Sequence, residues 1–438
     1  MSTADSPVSD PVIVVSCDSH VGPRLRQDLR AYCPQKYLSD FDAFVTAHEA
    51  RRADMARAGI VDERARFATG HPNISIDGHH DVYARLRDMD SDGVAAEVIY
   101  QFSQNGEPMP LVADPGGGLG TVPASAFELG AVGYEIYNRW LADFVSVEPE
   151  RHIGLAYLPM WDIGAAVREL ERAREAGLRG VNFPPPSRAG HLEYNNPAWE
   201  PFWSACTAYD MSLNTHSSGA AAFDYFSGPG GEDLLIYESG GWMARRALWW
   251  LIHGQVFERH PDLKLVITEQ FEGWWTSTLH ELDSVYLRFG RRGSVLPKMP
   301  SDYARHHVFM GASFLSPSLA EQAFREGFVG NVLWGRDYPH IEGAFQVAPA
   351  GSEPITQLSL RNSLSRVPAP AARAMAGENA IRAFGLDRAK LRDVAARINA
   401  PSLGQLVTAP RDLPVIAERS NAFRGQAGAR PLDVALSS

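Results

Sequence analysis

Short apolar runs alternate along the chain with longer amphipathic stretches, the pattern of parallel strand–helix units. Eight runs read as strands: PVIVVSC (11–17), GVAAEVIY (93–100), HIGLAYLPM (152–160), LRGVNFP (178–184), DMSLNTH (210–216), DLKLVITE (262–269), HHVFMGAS (306–313) and NVLWGRD (331–337). β-branched and aliphatic residues dominate most of them, as strands covered on both faces require. Between them, AAVRELERAREAGLRG sets Val167, Leu170, Ala173 and Ala176 along one face and stops at Gly177. EIYNRWLADFVSV and RRALWWLIHGQVFERH have similar character, and each is soon followed by proline, Pro149 and Pro261. Eight such units close an α/β fold of the (β/α)₈ TIM-barrel type.

Two segments exceed a minimal barrel. Residues 18–92 form a long excursion after strand one, and 101–126 is rich in glycine and proline without periodicity. Loops of that length in a compact domain act as lids or binding walls. The organisation expected is a barrel over 1–388, with 18–92 inserted after strand one, and a C-terminal helical extension or arm over 389–438. No internal repeat is evident.

Composition narrows the function classes. The chain has 438 residues, 45% of them apolar, enough for a large core, and barrels exceed 250 residues as one unit. A net charge of −11 with interspersed signs lacks the basic face that nucleic acid requires. No apolar run approaches the roughly 20 residues that cross a bilayer, and MSTADSPVSDP has neither the basic nor the apolar region of a signal peptide. Three scattered cysteines, Cys17, Cys33 and Cys206, fit a reducing compartment. A cytoplasmic protein with a small-molecule substrate, and neither nucleic acid nor membrane as partner, is the expectation.

Barrel chemistry sits where strands end, so polar residues at strand C-termini carry the information. Strand one ends in Asp18-Ser19-His20, strand five in His216, strand six in Glu269, and strand eight in Asp337, with His340 just after it. Alternate residues of an extended strand share a side, so Asp18 and His20 can reach one ion that His216 and Asp337 approach from other strands. Each has a plainer reading: a D-x-H triplet arises by chance, His216 could cap its strand, and Asp337 could form an Asx-turn before Pro339. Their joint placement favours a metal centre. Two imidazoles and two carboxylates suit zinc, manganese or iron. His340 reads as a residue orienting Asp337, His253 as structural, and the pair His79-His80 as surface residues or pocket walls. Aromatic residues at or beyond strand ends (Tyr100, Phe102, Trp161, Phe183, Phe223, Tyr225, Phe226, Trp274, Trp275, Phe314) suggest an apolar or aromatic substrate, or else core packing.

The segments VVSCDSH, DMDSDGVAAEVIY, LNTHSSG, ERHPDLKLVITE, LWGRDYPHIEG and AGENAIRAFGL resemble the amidohydrolase superfamily, in its branch of amidohydrolase-related hydrolases and decarboxylases, over about residues 11–386. That resemblance implies one divalent metal, zinc first with manganese or iron as alternatives. It makes Asp18, His20, His216 and Asp337 the ligands and Asp337 the acid or base, and it implies a homo-oligomer, dimer or larger. Three departures stand out. Asp18-Ser19-His20 replaces a more usual His-x-His or Glu-x-His, Glu269 stands where decarboxylating relatives carry histidine, and Arg336 stands where a small residue is usual.

Because of Glu269, hydrolysis ranks first: metal-activated water attacks a carbonyl carbon, with Asp337, Glu269 and His216 as the catalytic set. Non-oxidative, metal-dependent decarboxylation is the alternative, and a non-catalytic binding barrel ranks third.

Overall fold

The computed structural model describes residues 9–58, 70–112, 124–184, 192–217, 244–270, 272–289, 296–349 and 351–423, with a few further positions between 229 and 241. The strands are β1 (Val15–Ser16), β2 (His20–Val21), β3 (Ala96–Gln101), β4 (His152–Ala156), β5 (Gly180–Asn182), β6 (Ser212–His216), β7 (Leu265–Thr268), β8 (Val308–Ala312) and β9 (Val332–Trp334). Every apolar run read as a strand contains one. All pairings are parallel, in the order β1-β3-β4-β5-β6-β7-β8-β9, with β2 also on β3. The ring closes where Cys17 N donates to Trp334 O (2.8 Å) and Ser19 bridges Tyr338. The chain is a (β/α)₈ barrel.

The first predicted strand, 11–17, differs: only Val15–Ser16 of it forms β1, and a second short strand, β2, follows beyond Cys17-Asp18-Ser19. Side chains within the strands alternate as a pleat requires. Val266 of β7 packs inside the ring with Val15, Val98, Leu155 and Leu333, whereas Leu265 and Ile267 face the helices. The floor of the ring is filled from the C-terminal side. Phe384, Leu391 and Val394 share the apolar cluster of Ile13 and Val15, and Val12 N donates to Pro401 O (2.8 Å).

The helices follow the apolar periodicity. Phe127–Val145 and Ile163–Glu175 form as expected, and Gly177 ends the second with φ of 99°. The stretch read as one helix from 245 to 260 is two, Ala244–His253 and Val256–Arg259, broken at Gly254-Gln255. A Cβ at Gly254 would stand 2.7 Å from Asn195 Cβ, so that close approach needs glycine. No described helix is long and apolar enough to cross a membrane. The chain beyond residue 423 lies outside the described residues.

One core histidine gives a pH prediction. His307 stacks on Phe257 (ring centroids 4.4 Å apart), places its Nδ1 2.9 Å from Leu263 O, and is held down by burial at about 4. Its unfolded value lies near 6.5, so between about 6.5 and 4 the unfolded chain binds more protons. Stability is therefore lost as pH falls through that window. Melting temperature followed across it should fall less steeply in His307→Asn; an unchanged slope would remove His307 from this role.

Candidate metal centre

Five elements deliver side chains to the C-terminal mouth of the ring. Asp18 lies in the break between β1 and β2, His20 opens β2, His216 ends β6, Glu269 follows β7, and Asp337 and His340 follow β9. Backbone bonds between the first and last strands fix the two aspartates against each other. Asp337 N donates to Asp18 O (3.0 Å), and His20 N donates to Tyr338 O (2.5 Å). Ser16 Oγ donates to Asp18 O (2.6 Å) and accepts from Arg336 N (3.0 Å). A Cβ at Gly343 would come within 2.3 Å of Asp337 O, so glycine is needed where the following loop folds back. Glu269 and Asp337 both hold positive φ, 56° and 52°. Such strain in non-glycine residues clusters at functional sites.

The four predicted ligands converge. His20 Nε2 is 3.2 Å from both Asp18 Oδ1 and Asp337 Oδ1, and His216 Nε2 is 3.3 Å from Asp18 Oδ1. Glu269 Oε2 lies 3.3 Å from His216 Nδ1 and accepts from Ser217 Oγ. His340 Nδ1 stands 2.8 Å from Asp337 Oδ1. Asp18, His20 and Asp337 are buried, as are His216 and His340 apart from an edge.

The hydrogen bonds set the tautomers. His20 Nδ1 faces Gln101 O (2.9 Å), His216 Nδ1 faces Ser217 O (2.8 Å), and His340 Nε2 faces Phe102 O (2.7 Å). Only an N–H can bond a carbonyl, so each ring turns its other nitrogen toward carboxylate oxygen. His20 Nε2, His340 Nδ1 and both Asp337 oxygens have no hydrogen-bond partner although buried. Lone pairs aimed at one another in a dry site are costly unless a positive charge lies between them. A cation fits this donor set: Asp18, His20 and His216 form one cluster able to share an ion, and His20, Asp337 and His340 form another.

The electrostatics agree. Burial pulls the His20 and His216 imidazoles down, but the adjoining carboxylates outweigh it and lift each to about 9. Burial pushes Asp18 up, yet His216 and His20 hold it well below the usual carboxylate range. Glu269 is pushed up to about 7 by burial, with the Asp337 and Asp18 charges adding to the effect against the pull of His216.

Other expectations fare differently. His340 does contact Asp337, and it also completes a ligand cluster of its own. His79 is buried, contrary to a surface position, with its ring nitrogens 2.8 Å from Ser103 Oγ and Asn73 O. Arg336 points away from the site into a buried ionic network. Tyr100 packs edge-on to His216 (4.8 Å) and so belongs to the site. Phe183 packs among Tyr194, Phe202 and Trp203, and Trp275 packs against Phe328, so these are core residues. Phe223, Tyr225 and Phe226 lie outside the described residues. Sequence reasoning missed Glu342, whose carboxylate lies beside Glu269 and Asp337. Its sole signal was a place two residues beyond His340.

The amidohydrolase family matches residues 76–386. A gamma-resorcylate decarboxylase from Polaromonas sp. is 27% identical over 228 residues, 46% of this chain and 64% of that protein, less than two thirds of its length. Among solved structures, a 5-carboxyvanillate decarboxylase from Sphingomonas paucimobilis aligns with a TM-score of 0.58 at 22% identity, covering 86% of this chain and all of its own. A second 5-carboxyvanillate decarboxylase, from Novosphingobium aromaticivorans with bound manganese and 3-methoxy-4-hydroxy-5-nitrobenzoic acid, aligns at 0.57 with 18% identity over 86% of this chain and 97% of its own.

Proposed function

The chain belongs to the amidohydrolase family, and from that premise we propose that it is a metal-dependent, non-oxidative decarboxylase of an aromatic carboxylic acid. The observation that carries this reading is the convergence of Asp18, His20, His216 and Asp337 with a partly buried acid, Glu269, beside them. The names of the relatives favour it over hydrolysis, reversing the order suggested by the missing strand-six histidine.

Asp18, His20, His216 and Asp337 would hold the ion. A divalent cation there, manganese as in the Novosphingobium structure or zinc, would supply an electrophilic contact for the substrate's carboxylate. The chain's own groups do the rest. Loss of carbon dioxide leaves the electron pair of the broken C–C bond on the ring carbon, which must take up a proton. Glu269, pushed up to about 7, carries one near neutral pH and can replace an imidazole donor. Asp337 keeps the neighbouring imidazoles in register, and the Tyr100 ring packs on those of His20 and His216.

Hydrolysis remains the rival, because Glu269 could equally protonate a leaving group after attack by water. Turnover of aryl carboxylates in deuterium oxide separates the two. Decarboxylation releases carbon dioxide and places a single deuterium on the ring carbon that bore it; hydrolysis incorporates solvent oxygen and releases none. Removing the metal with a chelator should abolish turnover, and manganese or zinc should restore it. Activity that survives complete metal removal would sink the proposal.

A further inference from the structure

His79 and the excursion around it have no part in the chemistry above, yet that excursion reaches the loop that carries Asp337 and His340. Asn73, fully buried in the turn Pro72–Ser75, sets its carboxamide inside that loop. Its Nδ2 donates to Phe345 O (3.0 Å) and Pro339 O (3.1 Å), with His340 O at 3.4 Å, and its Oδ1 accepts from Val347 N (3.4 Å). Asn73 O lies 2.8 Å from His79 Nε2, and His79 Nδ1 lies 2.8 Å from Ser103 Oγ. A carbonyl can only accept, so Nε2 carries the proton and Nδ1 accepts from the serine. Burial holds this imidazole down at about 4, so it keeps that neutral form at neutral pH. Ser103 follows Phe102, whose carbonyl takes the proton of His340 Nε2 (2.7 Å). The bonds thus close a circuit around His340, from its ring through Phe102, Ser103, His79 and Asn73 back to the backbone beside it. Gly22 N, just beyond β2, donates to His79 O (2.9 Å), and a Cβ at Gly78 would collide with the Tyr338 hydroxyl. The segment therefore lies flush against the residue that follows Asp337.

We propose that Asn73 and His79 are positioning residues for the metal centre, holding the loop after β9 so that His340 Nδ1 and the Asp337 carboxylate face the cation. Carbonyls that converge on one buried point repel one another unless a donor stands among them, and the Asn73 amide is that donor. His79 fixes the amide in turn, since its Nε2–H bonds the Asn73 backbone while its Nδ1 is tied to the loop after β3. Contacts of this kind, one step out from the metal, are worth about 10–100-fold in metal affinity. The inference rests on the metal centre proposed above and not on which reaction the ion serves.

The test compares wild type with Asn73→Ala, His79→Phe, His79→Gln and a control, Asn379→Ala, each as the full chain stripped of metal. Affinity for Mn²⁺ is measured by equilibrium dialysis with elemental analysis, and the melting temperature of each metal-free protein is recorded beside it. Asn379 is an equally buried amide whose Nδ2 donates to Val329 O (2.7 Å) and Val332 O (2.8 Å) at the opposite end of β9. Its loss should lower the melting temperature and leave Mn²⁺ binding as in wild type. Asn73→Ala and His79→Phe should bind Mn²⁺ about 10–100-fold more weakly. His79→Gln, whose amide N–H can stand in for Nε2–H, should recover most of that affinity. Wild-type affinity in Asn73→Ala and His79→Phe overturns the proposal, as does an equal loss in Asn379→Ala, which would mark a general loosening of the barrel. If Asn73→Ala does not fold, the His79 pair decides: a glutamine variant no better than phenylalanine overturns the circuit. A wild type that binds no ion overturns the metal centre itself and this proposal with it, a result distinct from the others.

Discussion

Asp337→Asn should lower turnover by about 10²–10⁴-fold without unfolding the protein. Asparagine has the shape of aspartate, so the tight packing at this fully buried position is preserved. What disappears is a charge on which two imidazoles depend, His20 at 3.2 Å and His340 at 2.8 Å. The Asp18 and Glu269 carboxylates also lose a like-charged neighbour, so the metal-free protein should melt no lower than wild type. Steady-state kinetics with metal content measured on the same sample checks this. Asp18, His20 and His216 remain to hold an ion, so a loss of turnover at retained metal assigns Asp337 a role in the chemistry. Turnover near the wild-type rate would remove that role.

The second large effect is on stability. Arg336→Met should destabilise the fold by roughly 3–5 kcal/mol, the usual result of removing one partner from a buried ion pair. Arg336 is fully buried, with Nη1 on Asp92 Oδ2 (2.9 Å) and Nη2 on Glu97 Oε2 (3.1 Å). Glu97 in turn binds Arg85 and stands 3.3 Å from His152 Nδ1, and the Tyr338 ring packs under both guanidinium groups (4.6 and 4.3 Å). Burial already pushes Asp92 up to about 6 despite Arg336; without that arginine Asp92 would keep only the Thr356 hydroxyl (2.6 Å) in a dry interior, and Glu97 would depend on Arg85. Arg85 Nη1 also donates to His20 O (2.7 Å), so the network supports the site from below. Denaturant unfolding measures the loss. Removing the stranded charge in the double variant Arg336→Met/Asp92→Asn should recover part of it, and an Arg336→Met protein as stable as wild type would show that the network contributes little.

The departure at Arg336 thus has a structural reason that the sequence does not disclose: its partners lie about 240 residues away. The same limit applied to His79. A histidine in a long excursion carries no burial signal, and only the folding of that excursion, which sets His79 between its own Asn73 and Ser103 beyond β3, buries it. Ranking hydrolysis above decarboxylation rested on residue type at position 269. The surroundings that push the Glu269 carboxyl group up to about 7 are tertiary.

Local pattern determined the barrel. Strand alternation, helical periodicity and the stops at Gly177 and Pro261 are set by neighbouring residues, and in this architecture strand ends point to one mouth, so Asp18, His20, His216 and Asp337 could be read as a set. Tertiary structure alone decided how they meet. The bond from Asp337 N to Asp18 O joins residues 319 positions apart, and the tautomers that the Gln101 and Phe102 carbonyls fix in His20 and His340, like the approach of Glu342 to Glu269, depend on ring closure. Such contacts are made by backbone and charge across space, and residue spacing along the chain carries no trace of them.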